Sequence, residues 1–289
     1  MPIYKPSELR LFLDSLGISP KKRLSQNFLI DGNIIRKIVA TSQAKPGDLI
    51  LEVGPGPGSL TQALLEAGAQ VAAVEMDRTL AAQLPRLASQ PKQLEVFCED
   101  IMKFPLEEFL KGRLRQGQRA KVIANLPYHL TTPILALLGP HHTLIESLTL
   151  MVQDEVARRM TSKPGTAEYS SLTLFLAFYA QVSYGFFVSR NCFYPAPNVD
   201  SAVVMLQLHQ PPLDAVTAEK FFLLTRTAFG QRRKMLRASL KPLLNPTDIA
   251  QALEQLGLNP QARPEELSLT DFLHLFAKLS PTFLSPPNP

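Results

Sequence analysis

The chain has 289 residues, 45% hydrophobic and 19% charged, the balance of a packed globule with room for one large domain and a smaller one. No run approaches the roughly 18 consecutive apolar residues of a membrane span, and the first ten residues are polar where a signal peptide would be apolar. Two cysteines, Cys98 and Cys192, are too few for a disulfide framework and have no neighbouring Cys or His for a zinc site. The expectation is a cytoplasmic monomer with no membrane contact, no metal, and two buried or half-buried thiols.

A net charge of +5 and a pI of 9.2 are modest, but the cations gather in three places. Lys21, Lys22 and Arg23 form one group, and Lys111, Arg113, Arg115, Arg119 and Lys121 a second. The third is Arg226, Arg232, Arg233, Lys234, Arg237 and Lys241, inside a stretch, 220–241, that has no acidic residue. Any one group is an ordinary solvated face. Three together favour a polyanionic partner, because neutralised phosphates release counterions and supply most sequence-independent affinity.

In chain order, apolar runs alternate with stretches of helical period from 49 to 209, the pattern of a parallel sheet flanked by helices. The predicted strands are 49–53, 70–75, 94–99, 121–124 and 148–152, and the predicted helices 59–66 and 133–138. Runs 186–193 and 201–209 flank a proline-rich turn and read as a closing antiparallel pair. Beyond Pro211 and Pro212 the period is helical only. Phe221, Leu224, Thr225 and Ala228 share one face, Ile249, Ala252, Leu253 and Leu256 another, and Phe272, Leu275, Phe276 and Leu279 a third, opened by a Ser268/Asp271 capping box. The predicted domains are 1–209 and a helical 210–289, with an irregular proline-rich tail from 281.

The first predicted strand runs into Gly54, Pro55, Gly56, Pro57 and Gly58, with Ser59 the expected helix N-cap. A dinucleotide site would want its third glycine where Ser59 stands, so the turn is read as a close backbone approach without a pyrophosphate to cradle. Glu75, 21 positions after Gly54, ends the second strand, where a carboxylate can accept from a ribose diol. Asp100, after the third, is placed to take an adenine amino group. Each has a bland reading as an exposed strand-end acid, but acids ending successive parallel strands converge on one crevice, which suits an adenosyl ligand.

After the fourth strand come Asn125, Leu126, Pro127 and Tyr128. The N6 of adenine is a poor nucleophile because its lone pair is delocalised into the ring. Two acceptors, the Asn125 side-chain oxygen and the Leu126 carbonyl, would draw it toward tetrahedral geometry. Pro127 fixes the turn and removes a competing donor, and Tyr128 would stack on a purine taken out of its helix or loop. Out of context this is a common turn; after the fourth strand of a glycine-rich α/β unit it reads as an amino-group methylation site. In the stretch 193–201, Phe193 or Tyr194 either reaches the other face of that base or belongs to the core, and chemistry alone leaves the two level.

Taken together, these residues resemble the ribosomal RNA adenine dimethyltransferase family and, within it, the small-subunit branch. The resemblance begins at Lys22, Arg23, Leu24, Ser25, Gln26, Asn27, Phe28 and Leu29, and runs through Gly54, Glu75, Asp100, Asn125 and the Phe193 turn. It continues to Gln231, Arg232, Arg233 and Lys234, and to Arg263, Pro264, Glu265 and Glu266. It implies a Rossmann-like class I methyltransferase sheet with helices on both faces and a small all-α C-terminal domain. It also implies S-adenosylmethionine as methyl donor, held by Asn27, Leu29, Gly54, Gly56, Glu75, Asp100 and Asn125. Catalysis falls to Asn125, Leu126, Pro127, Tyr128 and Phe193, and RNA binding to Arg232, Arg233, Lys234 and Arg237. The implied substrate is two adjacent adenosines in a hairpin loop near the 3′ end of small-subunit ribosomal RNA, within an assembling subunit. His129 departs from the Asn usual in that branch. The nearest alternative, a resistance-type large-subunit methyltransferase, usually has isoleucine in place of Leu126. A further alternative is an assembly factor in which methylation is secondary.

Overall fold

The computed structural model describes residues 3, 5–21, 26–90, 92–231 and 234–283. Lys22, Arg23, Leu24 and Ser25 of the family segment, and Arg232 and Arg233 of the basic group, lie outside the described residues.

In chain order the first elements are α1 (Pro6–Ser15), β1 (Phe28–Leu29), α2 (Gly32–Ser42), β2 (Leu49–Val53), α3 (Ser59–Glu66), β3 (Gln70–Val74) and α4 (Arg78–Ala81). Next come β4 (Leu94–Phe97), α5 (Leu106–Arg113), β5 (Ala120–Asn125), α6 (Thr131–Leu138), β6 (Ile145–Gln153), α7 (Asp154–Met160) and α8 (Ser171–Tyr179). The last are β7 (Ala180–Val188), β8 (Phe193–Tyr194), β9 (Ser201–Leu208), α9 (Ala215–Phe229), α10 (Leu236–Ser239), α11 (Pro246–Gln255) and α12 (Leu269–Phe283).

Seven strands form one sheet in the order β4-β3-β2-β5-β6-β9-β7. The first five are parallel; β9 runs antiparallel to both β6 and β7. Strands buried on both faces read as unbroken apolar runs, and β2 shows this. Ile50 packs with Ile35 and Ile38 of α2 and Leu60 and Leu64 of α3, while Leu51 and Val53, pointing the other way, are equally buried.

The chain divides into two compact units, Met1–Ala157 with Ala180–Gln210, and Arg158–Tyr179 with Pro211–Pro289. Residues 158–179, inside the predicted first domain, thus fall with the helical unit. Their Tyr169, Leu174 and Phe178 join Phe221, Leu253, Phe272 and Leu275 in its core, where the Phe178 and Phe221 rings stack at 5.5 Å. The three predicted helix faces are α9, α11 and α12, with Leu256 half-buried at the end of its face. Ser268 and Asp271 form the expected reciprocal cap, Asp271 N donating to Ser268 Oγ at 3.2 Å and Ser268 N to Asp271 Oδ2 at 2.9 Å.

Several expectations need correction. Strand β7 starts six residues before the predicted 186, because its first half alternates exposed Gln181 and Ser183 with buried Ala180 and half-buried Val182, the weakly apolar pattern of an edge strand. Residues 193–194 leave that strand and pair with β1 instead. Helix α12 continues to Phe283, past the predicted start of the irregular tail. Ser59 is the first helical residue rather than the N-cap: Gly58 occupies that position with φ +92°, and Ser59 Oγ donates to the Ile3 carbonyl at 2.8 Å. Cys98 is exposed and only Cys192 is half-buried.

Candidate active site

Strand register brings the predicted residues together. Val53 stands opposite Val74 on one side and Ala124 on the other, and Val74 stands opposite Phe97. Gly54 and Glu75, which follow their strands, and Asn125, the last residue of β5, therefore emerge side by side, with Asp100 just beyond. The strand order reverses at β2, with β3 and β4 to one side and β5 and β6 to the other, and ligands of open α/β sheets bind at such a point. The crevice there is lined by Asn27, Leu29, Gly54, Gly56, Glu75, Asp100 and Asn125, all seven residues predicted to hold a cofactor, together with Leu126, Pro127 and Tyr128.

Glu75 is fixed by backbone donors. Its Oε2 accepts from Gly56 N at 2.9 Å and its Oε1 from Asp77 N at 2.8 Å, leaving each oxygen a second lone pair. Burial raises its pKa, against these two bonds. Glu52, 1% exposed, lines the same crevice with no partner for its Oε2. Burial pushes its pKa up to about 8; neighbouring Thr61 pulls it down, and the Glu75 charge adds to the rise. Glu52 is therefore largely a neutral acid at pH 7. Gly54 has φ +68° and nothing within 4 Å of where a Cβ would stand, so a side chain there would project into free space along the crevice. An orphaned buried acid, a carboxylate with spare lone pairs and an open cradle at a glycine fit an adenosyl-amino-acid ligand.

On the acceptor side, the Asn125 Nδ2 donates to the Asn27 carbonyl at 3.2 Å, which assigns the amide its orientation and leaves Oδ1 as acceptor. Leu126 is anchored through its N–H to the Met151 carbonyl at 3.1 Å. Pro127, at φ −58° and ψ 124°, turns the chain into the one-turn helix Tyr128–Leu130. The Tyr128 hydroxyl hydrogen-bonds Ser201 Oγ at 2.9 Å, which ties the ring to the start of β9. Burial raises the phenol pKa, so it stays protonated at neutral pH. Asp100 Oδ1 accepts from Met102 N at 3.0 Å, which fixes the carboxylate beside the crevice.

Phe193 is the exception among the predicted catalytic residues. It does not line the crevice: its ring is 3% exposed and packs with Leu29, Ile35, Met151 and Val203, because β8 pairs Phe193 with Leu29 and Tyr194 with Phe28. The strand pair instead clamps the segment that carries Asn27. The second basic group is also not a free patch. Lys121 is buried, and its Nζ donates to the Gln43 carbonyl and the Asp48 carboxylate, each at 2.7 Å; Lys111 pairs with Glu107 and Arg113 with Glu95. In the helical unit Lys234 is exposed and Arg237 half-exposed.

Two residues escaped the sequence reading. Glu52 looked like part of an apolar strand, and only its position one step before Val53, on the face covered by α2 and α3, makes it a buried acid. Asp77 is buried and accepts from Lys21 Nζ at 2.7 Å and Gln26 Nε2 at 3.2 Å. Burial pushes its pKa up, but Lys21 and Gln26 outweigh that and hold it below the usual carboxylate range.

A mostly parallel seven-stranded sheet, with a glycine turn and acids gathered at its switch point, is the Rossmann-like fold of the class I methyltransferases. Two solved structures share this fold. One is a dimethyladenosine transferase from Plasmodium falciparum, 26% identical with TM-score 0.73, covering 87% of this chain and 96% of that one. The other is the 23S rRNA methyltransferase ErmE, 27% identical with TM-score 0.65, covering 88% and 100%. The sequence profile of ribosomal RNA adenine dimethylase matches residues 18–280, and the chain belongs to that family. Among curated relatives, the ribosomal RNA small subunit methyltransferase A of Protochlamydia amoebophila (strain UWE25) is 66% identical over 279 residues, 96% of this chain and 98% of that protein.

Proposed function

We propose that the protein dimethylates N6 of two adjacent adenosines in small-subunit ribosomal RNA during assembly of the subunit, using S-adenosylmethionine. The observation that carries this reading is the loop 125–128: Asn125, its amide oriented by Asn27, stands beside the glycine cradle and the buried Glu75 carboxylate. The 66% identity to a protein named for the small subunit supports that branch over the large-subunit one.

S-adenosylmethionine supplies a methyl carbon made electrophilic by its sulfonium. Glu75 would hold the ribose hydroxyls, Asp100 the adenine amino group, and Asn27, Leu29, Gly54 and Gly56 the rest of the ligand. For the target base, Asn125 Oδ1 and the Leu126 carbonyl accept the N6 hydrogens and localise the lone pair, while the Tyr128 ring supports the purine face. With S-adenosylmethionine bound, N6 would take its methyl carbon and the electron pair of the carbon–sulfur bond would stay with the departing thioether. The positively charged nitrogen then loses a proton to water, so no strong base is required and catalysis is positioning and electrostatics. The first unit is the catalytic domain in this reading. Lys234 and Arg237, with Arg232 and Arg233, supply phosphate contacts from the helical unit, and the protein works as a cytoplasmic monomer.

The test is methyl transfer from labelled S-adenosylmethionine to small subunits lacking the modification, with mature small subunits and large subunits as controls, followed by nucleoside analysis. Dimethyladenosine formed only on the unmodified small subunit is the expected result. Transfer to large-subunit RNA would replace this reading with the resistance-type one, and binding without transfer with that of an assembly factor. Asn125→Ala should fold normally yet lose roughly a hundredfold in kcat, the scale of one lost preorganised hydrogen-bonding group.

A further inference from the structure

Asp77 sits at the centre of a bonding pattern that a helix cap alone does not require. Its Oδ1 does the capping, accepting from Thr79 N at 3.0 Å and Leu80 N at 3.4 Å. Its Oδ2 takes no part in the cap and instead receives Lys21 Nζ and Gln26 Nε2, from a segment more than fifty positions earlier. That segment is closed on itself as well, Lys21 N donating to Gln26 Oε1 at 2.8 Å. Gln26 is covalently next to Asn27, whose carbonyl holds the Asn125 amide. A charge pair with one partner 2% and the other 37% exposed thus leads, through Gln26 and Asn27, to the residue that must present an oxygen to N6.

We propose that Asp77 is a positioning residue for the acceptor site: its ion pair with Lys21 and its bond to Gln26 fix the Asn27 carbonyl, and through it the orientation of the Asn125 amide. A freely rotating Asn125 would present Nδ2 as often as Oδ1, and a donor aimed at the N6 hydrogens repels them. The Asp77 side chain does not line the crevice, so it acts through this chain of contacts. The cost of losing the latch is a loss of orientation, which belongs to kcat, because Glu75 keeps its backbone donors Gly56 N and Asp77 N whatever the side chain at 77, and Gly54 N keeps the Val74 carbonyl. The inference rests on the proposed role of Asn125.

The variants separate latch from cap. Asp77→Asn keeps an oxygen for Thr79 and Leu80, since Asn caps as well as Asp, but removes the charge that holds Lys21. Lys21→Met breaks the same pair from the other side without touching the cap, and Lys21→Arg restores a cation. Lys21→Met and Asp77→Asn should each lower kcat roughly tenfold, the scale of coupling between contacting groups. The KM for S-adenosylmethionine should change less than about threefold, Lys21→Arg should recover most of the rate, and the double variant should be no slower than either single one. In ligand-free protein, Lys21→Met should also speed amide exchange across residues 26–29. Wild-type kcat in Lys21→Met, or fully additive losses in the double variant, would reduce Asp77 to a helix cap and overturn the proposal. Wild-type protein that transfers no methyl group would overturn the reading of the reaction instead; the latch then stands or falls on the exchange measurement, unchanged protection being fatal to it.

Discussion

At the scale of single residues, the fold strongly alters the protonation of Glu52. The folded protein holds its proton to about pH 8, whereas an unfolded glutamate releases it near 4.5. Between those values the folded state binds more protons than the unfolded one, so stability falls as pH rises through this window and stays lost above it. The cost at the alkaline end is on the order of a few kcal/mol. Glu52→Gln, which keeps the neutral shape, should therefore show a flatter melting temperature between about pH 6 and pH 9 than the wild type; parallel curves for the two proteins would show that Glu52 is not the titrating group. Such a residue is hidden from sequence reasoning, since a Glu amid Leu and Val in a buried strand carries no local mark of its proton. Asp77 is hidden for a related reason: its partners Lys21 and Gln26 are distant in the chain, and no period or spacing joins them.

At the scale of elements, what was legible follows from how strongly burial constrains each stretch. The parallel strands β2 to β6 stand out because both of their faces are covered, and α3 because a glycine turn sets its start. Helix α8, with the sequence SLTLFLAFY, gives no period because apolar residues surround it on nearly every side. Helix α1 is too polar overall to announce itself, although Leu9 and Leu13 are buried beside Phe28 and Leu80. The loop 125–128 was readable because Asn, Leu, Pro and Tyr are residue types that suit an acceptor site at a strand end, and all four line the crevice. Phe193 was not, since an aromatic ring serves a pocket and a core equally well, and its packing against Leu29 comes from the β1–β8 pairing, which no local pattern announces. The glycine turn offers a test at this scale. Gly58 sits at φ +92°, and a Cβ there would come within 2.3 Å of Leu87 Cδ1 and 3.0 Å of Leu84 Cδ2. Gly58→Ala should cost about 1–3 kcal/mol from strain and displacement of those leucines, read as a lower denaturant midpoint. An unchanged midpoint would mean that the turn relaxes at no cost.

At the scale of the whole molecule, the helical unit is discontinuous. The chain leaves the first unit at Arg158, contributes Tyr169, Leu174 and Phe178 to the helical core, and returns at Ala180. The predicted boundary at 209/210 misses this because helical period after 210 is obvious, whereas 158–179 is a short apolar insert between strands. A chain truncated after Gln210 should consequently aggregate, because those side chains lose the core that covers them and expose a contiguous apolar patch. Replacing 158–179 with a short polar linker in the same truncated chain should restore solubility. A soluble, monomeric truncation that retains 158–179 would contradict the assignment of that segment to the helical core.

The pairing of Phe28 with Tyr194 also fixes an order of events during synthesis. The strand that clamps Asn27 over the crevice finds its partner only about 166 residues later, which at translation rates of roughly 5–20 residues per second is a wait of about ten to thirty seconds. Gly54, Glu75 and Asn125 have left the ribosome well before then, yet the clamp on their neighbour is missing. A nascent chain that already carries the acceptor loop thus lacks a finished site, and competence to modify RNA arrives only with the last third of the polypeptide.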